Sequence, residues 1–128
     1  MKRTETREQA FRLIYSIEIQ KEMDEEQVEL FMQENGIEEK AEIDYINEIF
    51  AGIKENREEI VSLIQNNLKE KWSVDRISKI DLAILKVAIY ELVFSKLPYK
   101  VVINEAVELA KKYASDVLEA GISDKVFA

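Results

Sequence analysis

Apolar residues recur along most of this chain at intervals of three and four, the spacing that lines one face of an α-helix, and no long period-two alternation is present from which to build a sheet. The densest stretch runs from Trp72 to Phe94. From Ile80 to Val93 only Asp81, Lys86, Tyr90 and Glu91 interrupt the apolar run. An apolar arc that wide predicts a helix buried on most of its faces. Ser78, three positions before Asp81, gives it a capping-box-like start, and Pro98 sets its far limit because proline cannot continue a helix. The charges of Asp81, Lys86 and Glu91 are expected at the rim or first turn, where a charge is tolerated and a partner can meet it.

The remaining helices follow from the same spacing. Ala10, Phe11, Leu13, Ile14 and Ile17 predict a first helix from about Thr4 to about Lys21, with Thr6 and Gln9 at capping-box spacing. Asp24 can cap a short acidic helix whose buried stripe is Val28, Phe31 and Met32 and which ends at Asn35-Gly36. Apolar positions from Ile43 to Leu68 keep helical spacing and predict one long helix from about Ala41 to about Lys69, in which Gly52 marks a close helix crossing. Trp72 reads as a plug between two halves, and a helical turn near Val74 to Ile77 leads into the central helix. After Pro98 a stripe of Val102, Ala106, Leu109, Ala110 and Tyr113 predicts another helix, with Lys111 and Lys112 near its negative end. Ser115 to Gly121 reads as a connection, and the last six residues as the first turn of a helix. The fold class expected is all-α, with six to seven helices.

Composition narrows the chemistry. A chain of 128 residues suggests one domain. It contains no cysteine and no histidine, which excludes disulfides, thiolate metal sites, a cysteine nucleophile and the commonest general base. No phosphate-cradling glycine loop, dinucleotide fingerprint or zinc-ligand pair is present. The reading is therefore non-enzymatic, with no metal or cofactor. The N-terminus lacks the apolar core of a secretory signal and no run approaches membrane-spanning length, so a soluble, cytoplasmic protein without a membrane partner is expected.

Charge changes the picture because of where it lies. The net charge is −8, yet residues 18 to 59 hold 15 acidic residues against 4 basic ones, and the rest of the chain holds 11 against 14. The acid forms one block, leaving the remainder able to face a polyanion. Lys2, Arg3, Arg7 and Arg12 crowd the start of the first helix. Cations there oppose the helix dipole, so local helix stability does not explain them. They read as either a solubilising tail or contacts to phosphate, and Tyr15, a core candidate, carries a ring that can also stack on a planar group.

The wording of two segments carries a resemblance. Ile80-Asp81-Leu82-Ala83-Ile84-Leu85-Lys86-Val87-Ala88-Ile89-Tyr90-Glu91-Leu92 is followed by Pro98-Tyr99-Lys100-Val101-Val102-Ile103-Asn104-Glu105-Ala106-Val107-Glu108-Leu109-Ala110-Lys111. With Arg7 to Tyr15 and the Phe50-Ala51-Gly52-Ile53 segment followed by Asn56, the chain resembles the family of the bacterial transcription antitermination factor NusB over almost its whole length.

That resemblance implies two small perpendicular helical bundles within one RNA-binding domain over residues 1–128, divided near residue 70. It implies binding to single-stranded boxA-type RNA of ribosomal leader transcripts together with the small-subunit ribosomal protein NusE, within an RNA polymerase antitermination complex, and no catalysis or cofactor. Lys2, Arg3 and Arg7, with Tyr15, would touch RNA, and Asp81 with the rim of the central helix would meet the ribosomal protein. Against the family pattern the closing helix reads as truncated, the connection before it as longer, and the N-terminal basic cluster as sparser. Two alternatives stand beside this reading: a separated NusB-like domain of a ribosomal RNA cytosine methyltransferase, and a helical scaffold that binds protein alone.

Overall fold

The computed structural model describes residues 2–21, 24–68 and 73–113. Trp72, the connection after Tyr113 and the last predicted turn lie outside the described residues. Within them the chain forms six α-helices: α1 (Arg3–Gln20), α2 (Glu25–Glu34), α3 (Lys40–Glu55), α4 (Arg57–Asn66), α5 (Lys79–Ile89) and α6 (Tyr99–Tyr113). A 3-10 turn at Val74–Arg76 precedes α5, and a π-helical turn at Tyr90–Phe94 extends it.

The central helix occupies the place its composition predicts. Every residue from Ala83 to Tyr90 is buried, with Leu85 at 0% exposure. Its most extensive neighbour is α1, then α6, with α4 and α3 beyond. Ala10, Phe11, Leu13, Ile14 and Ile17 of α1 are buried, and the buried apolar residues of all six helices form one continuous core. Leu92 is only partly buried, because it falls in the π-helical turn where the helix leaves the core.

The helix ends show why the segments stop where they do. Asp24 accepts a hydrogen bond from the Gln27 amide, and the Ser78 hydroxyl accepts one from the Asp81 amide, the N-caps their spacing predicts. At the other ends three asparagines recur. Asn35, Asn56 and Asn67 each donate from the side-chain amide to the carbonyl four residues back, on Phe31, Gly52 and Leu63, at 2.8 to 2.9 Å. These bonds compete with the helical ladder and end the helix.

The second of them corrects the expectation of one long helix from Ala41 to Lys69. Asn56 closes α3 onto the Gly52 carbonyl, and its own carbonyl accepts from Ile60 to open α4. A second correction concerns the capping box read at the start of α1, which begins at Arg3, within one residue of the expected start. Thr6 lies inside the first turn, and its hydroxyl donates back to the Lys2 carbonyl at 3.2 Å instead of capping an amide.

Gly52 is a close crossing, as its place in the pattern predicts. A Cβ there would collide with the ring of Tyr90, so only glycine lets α3 and the π-helical turn approach this closely. Gly36 has φ +63° and ends α2 in the left-handed conformation, with the Ile37 amide donating to the Met32 carbonyl.

Candidate nucleic-acid interface

The cations of α1 divide into two groups once the helix is packed. A helix turns about 100° per residue, so Arg3, four positions before Arg7, lies within about 40° of it, whereas Arg12, five positions after, lies about 140° away. Lys2, Arg3 and Arg12 are exposed; Arg7 is 5% exposed and faces α5 and α6. Its guanidinium grips Glu91 with two hydrogen bonds, Nε to Oε1 at 2.5 Å and Nη2 to Oε2 at 3.0 Å. A third contact reaches Glu105 Oε1 at 3.1 Å. The Tyr45 hydroxyl donates to Glu91 at 3.0 Å, and the Thr4 hydroxyl to Glu105 at 2.8 Å.

This network gathers α1, α3, α6 and the π-helical turn around one guanidinium. Burial opposes the Arg7 charge, but its hydrogen bonds to Glu91 and the fields of Tyr45, Glu91 and Glu105 outweigh it and hold the group above its ordinary value. The same site pushes the Tyr45 hydroxyl upward, first by burial and then by the charge on Glu91. The placement of Arg7 among exposed RNA contacts is thus corrected: the charge is satisfied inside the protein.

Arg3 stays outside, with its guanidinium 4.2 Å from the centroid of the Tyr45 ring. Arg12 is exposed and donates to Gln9 at 3.4 Å. Tyr15 is half-buried, stacked on Phe11 with ring centroids 6.3 Å apart, so part of its ring remains accessible.

A neighbouring helix adds cations that were read only as a helix-end complement. The middle of α6 lies beside the start of α1 through Thr4 and Glu105, and its end beside Glu8, which accepts from Lys112 at 2.7 Å and from the Tyr113 hydroxyl. These two bonds, that of Lys112 first, hold the Glu8 carboxyl below the usual carboxylate range. Lys111 and Lys112 are exposed there, extending the basic edge of α1.

The three expected partner contacts are all inside. Asp81 is 2% exposed, Lys86 4% and Glu91 2%, so none stands at a rim. Lys86 pairs with Glu18 of α1, Glu91 pairs with Arg7, and Asp81 sits in the first turn over Ser78. Buried charges are tolerated here because each pair brings its counter-ion from a distant part of the chain. Tyr45, Glu105 and Thr4 were missed from sequence. The available signal was the cation at a helix start that its own helix does not favour.

Among the described residues no group of three or more potential metal ligands is gathered, and no helix is long and apolar enough to cross a membrane. Compared with known proteins, residues 4–120 match the model of the NusB family. The chain belongs to the NusB family. This is a family of non-enzymatic transcription antitermination factors.

The transcription antitermination protein NusB of Clostridium novyi (strain NT) is 42% identical over 118 residues, spanning 91% of this chain and 88% of the relative. Among solved structures, T. maritima NusB superposes with a TM-score of 0.85 at 33% identity, covering 99% of this chain and 91% of that one. A complex of the antitermination factors NusB and NusE with dsRNA contains a chain matching at TM-score 0.84 and 25% identity, covering 99% of this chain and 98% of that one. The NusB-family fold and the all-helical architecture thus agree with the resemblance carried by the central helix and its successor.

Proposed function

We propose that this NusB-family protein binds single-stranded boxA-type RNA jointly with a NusE-type small-subunit ribosomal protein, as part of an RNA polymerase antitermination complex. The observation that carries the RNA part is the exposure of Lys2, Arg3 and Arg12, of which Arg12 lies with Lys112 about Glu8 and has the partly exposed ring of Tyr15 one turn beyond it. Over most of residues 18 to 59 the acidic excess opposes phosphate. Cations next to an accessible aromatic suit a strand with splayed bases better than a duplex groove. The related complex that holds NusE and dsRNA supports an RNA partner and a NusE-type partner by analogy.

Arg7 has a positioning role in this reading, fixing α1 against α5 and α6 so that the exposed cations keep their spacing. Asp81, Lys86 and Glu91 act likewise, shaping the partner-facing surface from beneath through the start of α5 and its ion pairs. The test is a binding assay with purified ribosomal protein, a boxA-type single strand and a duplex of the same sequence. A ternary complex tighter than either binary one, with preference for the single strand, is expected. Preference for the duplex would overturn the single-strand reading, and undiminished partner binding with no RNA in the complex would favour the protein scaffold.

A further inference from the structure

The far end of α1 carries a second concentration of positive charge that the RNA reading does not use. An inner cavity of about 250 Å³ is lined by Lys21, Arg57, Lys79 and Lys86 against a single carboxylate, Glu18, with Ile14, Ile17 and Ile53 completing the wall. It shares those five charged residues with an outer cleft of about 900 Å³, where Val61, Val74, Ile77 and Leu82 add apolar surface. Four cations around one small apolar-walled space is an unusual arrangement in a chain of net charge −8.

The internal contacts leave most of this charge uncompensated. Glu18 is engaged by Lys86, its only lysine ion-pair partner among the described residues. Lys79 donates to the Glu18 backbone carbonyl at 3.3 Å, which holds its ammonium in place through a neutral acceptor. Lys21 and Arg57 make no ion pair among the described residues. Two further carboxylates, Glu58 and Asp75, line only the outer cleft, so the positive excess is concentrated inside.

Local helix electrostatics do not account for Arg57 and Lys79, whereas Lys21 sits at the C-terminal end of α1, where the dipole favours a cation. Arg57 is the first residue of α4 and Lys79 the first of α5, positions where the helix dipole disfavours positive charge. Lys21 follows α1 with φ +59°, a left-handed conformation that lysine adopts at some cost. Three helix termini thus direct cations into one space. An anion there would be met by charge-assisted hydrogen bonds.

We infer that this cavity is a binding site for a phosphate group, held by Lys21, Arg57 and Lys79 inside while the remainder of a phosphorylated ligand lies on the apolar surface of the outer cleft. The inner volume falls below the range of about 300–1,000 Å³ that encloses a drug-sized ligand, and the outer one within it, which matches a small charged group attached to a larger body. The site is separate from the cations at the start of α1, since eighteen helical residues span about 27 Å. The phosphate can belong to a small molecule or to an RNA strand.

Inorganic pyrophosphate, titrated by calorimetry and followed by amide chemical shifts at constant ionic strength, tests the site. Saturable binding at one equivalent is expected, with shifts centred on Lys21, Arg57 and Lys79. The double substitution Lys21→Gln, Arg57→Gln changes two exposed residues and should leave the melting temperature nearly unchanged while weakening pyrophosphate by about tenfold or more. Lys2→Gln, Arg3→Gln should leave pyrophosphate unaffected, which separates this site from the RNA surface. Loss of single-stranded RNA affinity in the Lys21, Arg57 variant would identify the phosphate as that of the strand, and retention would identify a small phosphorylated ligand. Absence of saturable pyrophosphate binding, or equal binding by the Lys21, Arg57 variant, would overturn the inference.

Discussion

Arg7 and Glu91, separated by 84 positions, meet in a two-pronged ion pair in which both side chains are almost fully buried. The pair ties the first helix to the end of the central one. It also explains a cation at a helix start that the helix dipole disfavours: the tertiary partner outweighs the local cost.

Arg7→Ala should therefore act on folding before it acts on RNA. Leaving Glu91 buried without its counter-charge costs about 3–5 kcal/mol. Urea denaturation measures this directly. Replacing both partners with apolar residues, Arg7→Met with Glu91→Leu, should recover much of the loss, because a buried pair exchanged for packed apolar groups is often close to neutral. Failure of the double variant to recover would mean that Glu105, Tyr45 and Thr4 depend on the pair as a unit.

Gly52→Ala should destabilise by about 1–3 kcal/mol through overpacking against the Tyr90 ring. Tyr90→Ala alone should also destabilise, since the ring is buried. In the combined variant the Gly52→Ala penalty should disappear, and a denaturation double-mutant cycle would show the coupling. Additive losses would place the strain somewhere other than this crossing.

Acid should remove a defined part of the stability through Glu8. Its folded-state carboxyl is held below the usual range, chiefly by Lys112 and then by Tyr113. A depressed carboxylate contributes stability that is present above its unfolded value, about 4.3, and is lost as pH falls through the folded value. Glu8→Gln should accordingly lower the melting temperature near neutral pH and flatten its decline in acid. An unchanged acid limb would assign that decline to other carboxylates.

The helices were legible in the sequence because burial at intervals of three and four survives any tertiary arrangement. The course of α5 followed from its nearly unbroken apolar run, and the Ser78 cap from spacing alone. The break at Asn56 was not legible: the apolar stripe continues past it, and only the side-chain bond back to Gly52 stops the ladder. The charged positions show the same limit. Asp81, Lys86 and Glu91 read as rim residues because burying a charge is costly, but Glu18 and Arg7 arrive from α1 and remove that cost for Lys86 and Glu91. Arg7 could be singled out as unexplained by its own helix, whereas its partner lay in another element. Lys21, Arg57 and Lys79 stand in three separate segments, so the cavity they share exists only after folding.

The central claim is that exposed cations of α1, and not Arg7, hold RNA phosphates. The most direct measurement is the salt dependence of single-stranded boxA-type RNA binding, in the presence of the ribosomal partner, by the parent and by Lys2→Gln, Arg3→Gln, Arg12→Gln. Each neutralised phosphate contributes roughly 0.7 to the slope of log affinity against log salt on a single strand, so the triple variant should bind more weakly and flatten the slope by roughly 2. An affinity and slope equal to those of the parent at every salt concentration would contradict the account and leave α1 as a structural helix whose cations serve another purpose.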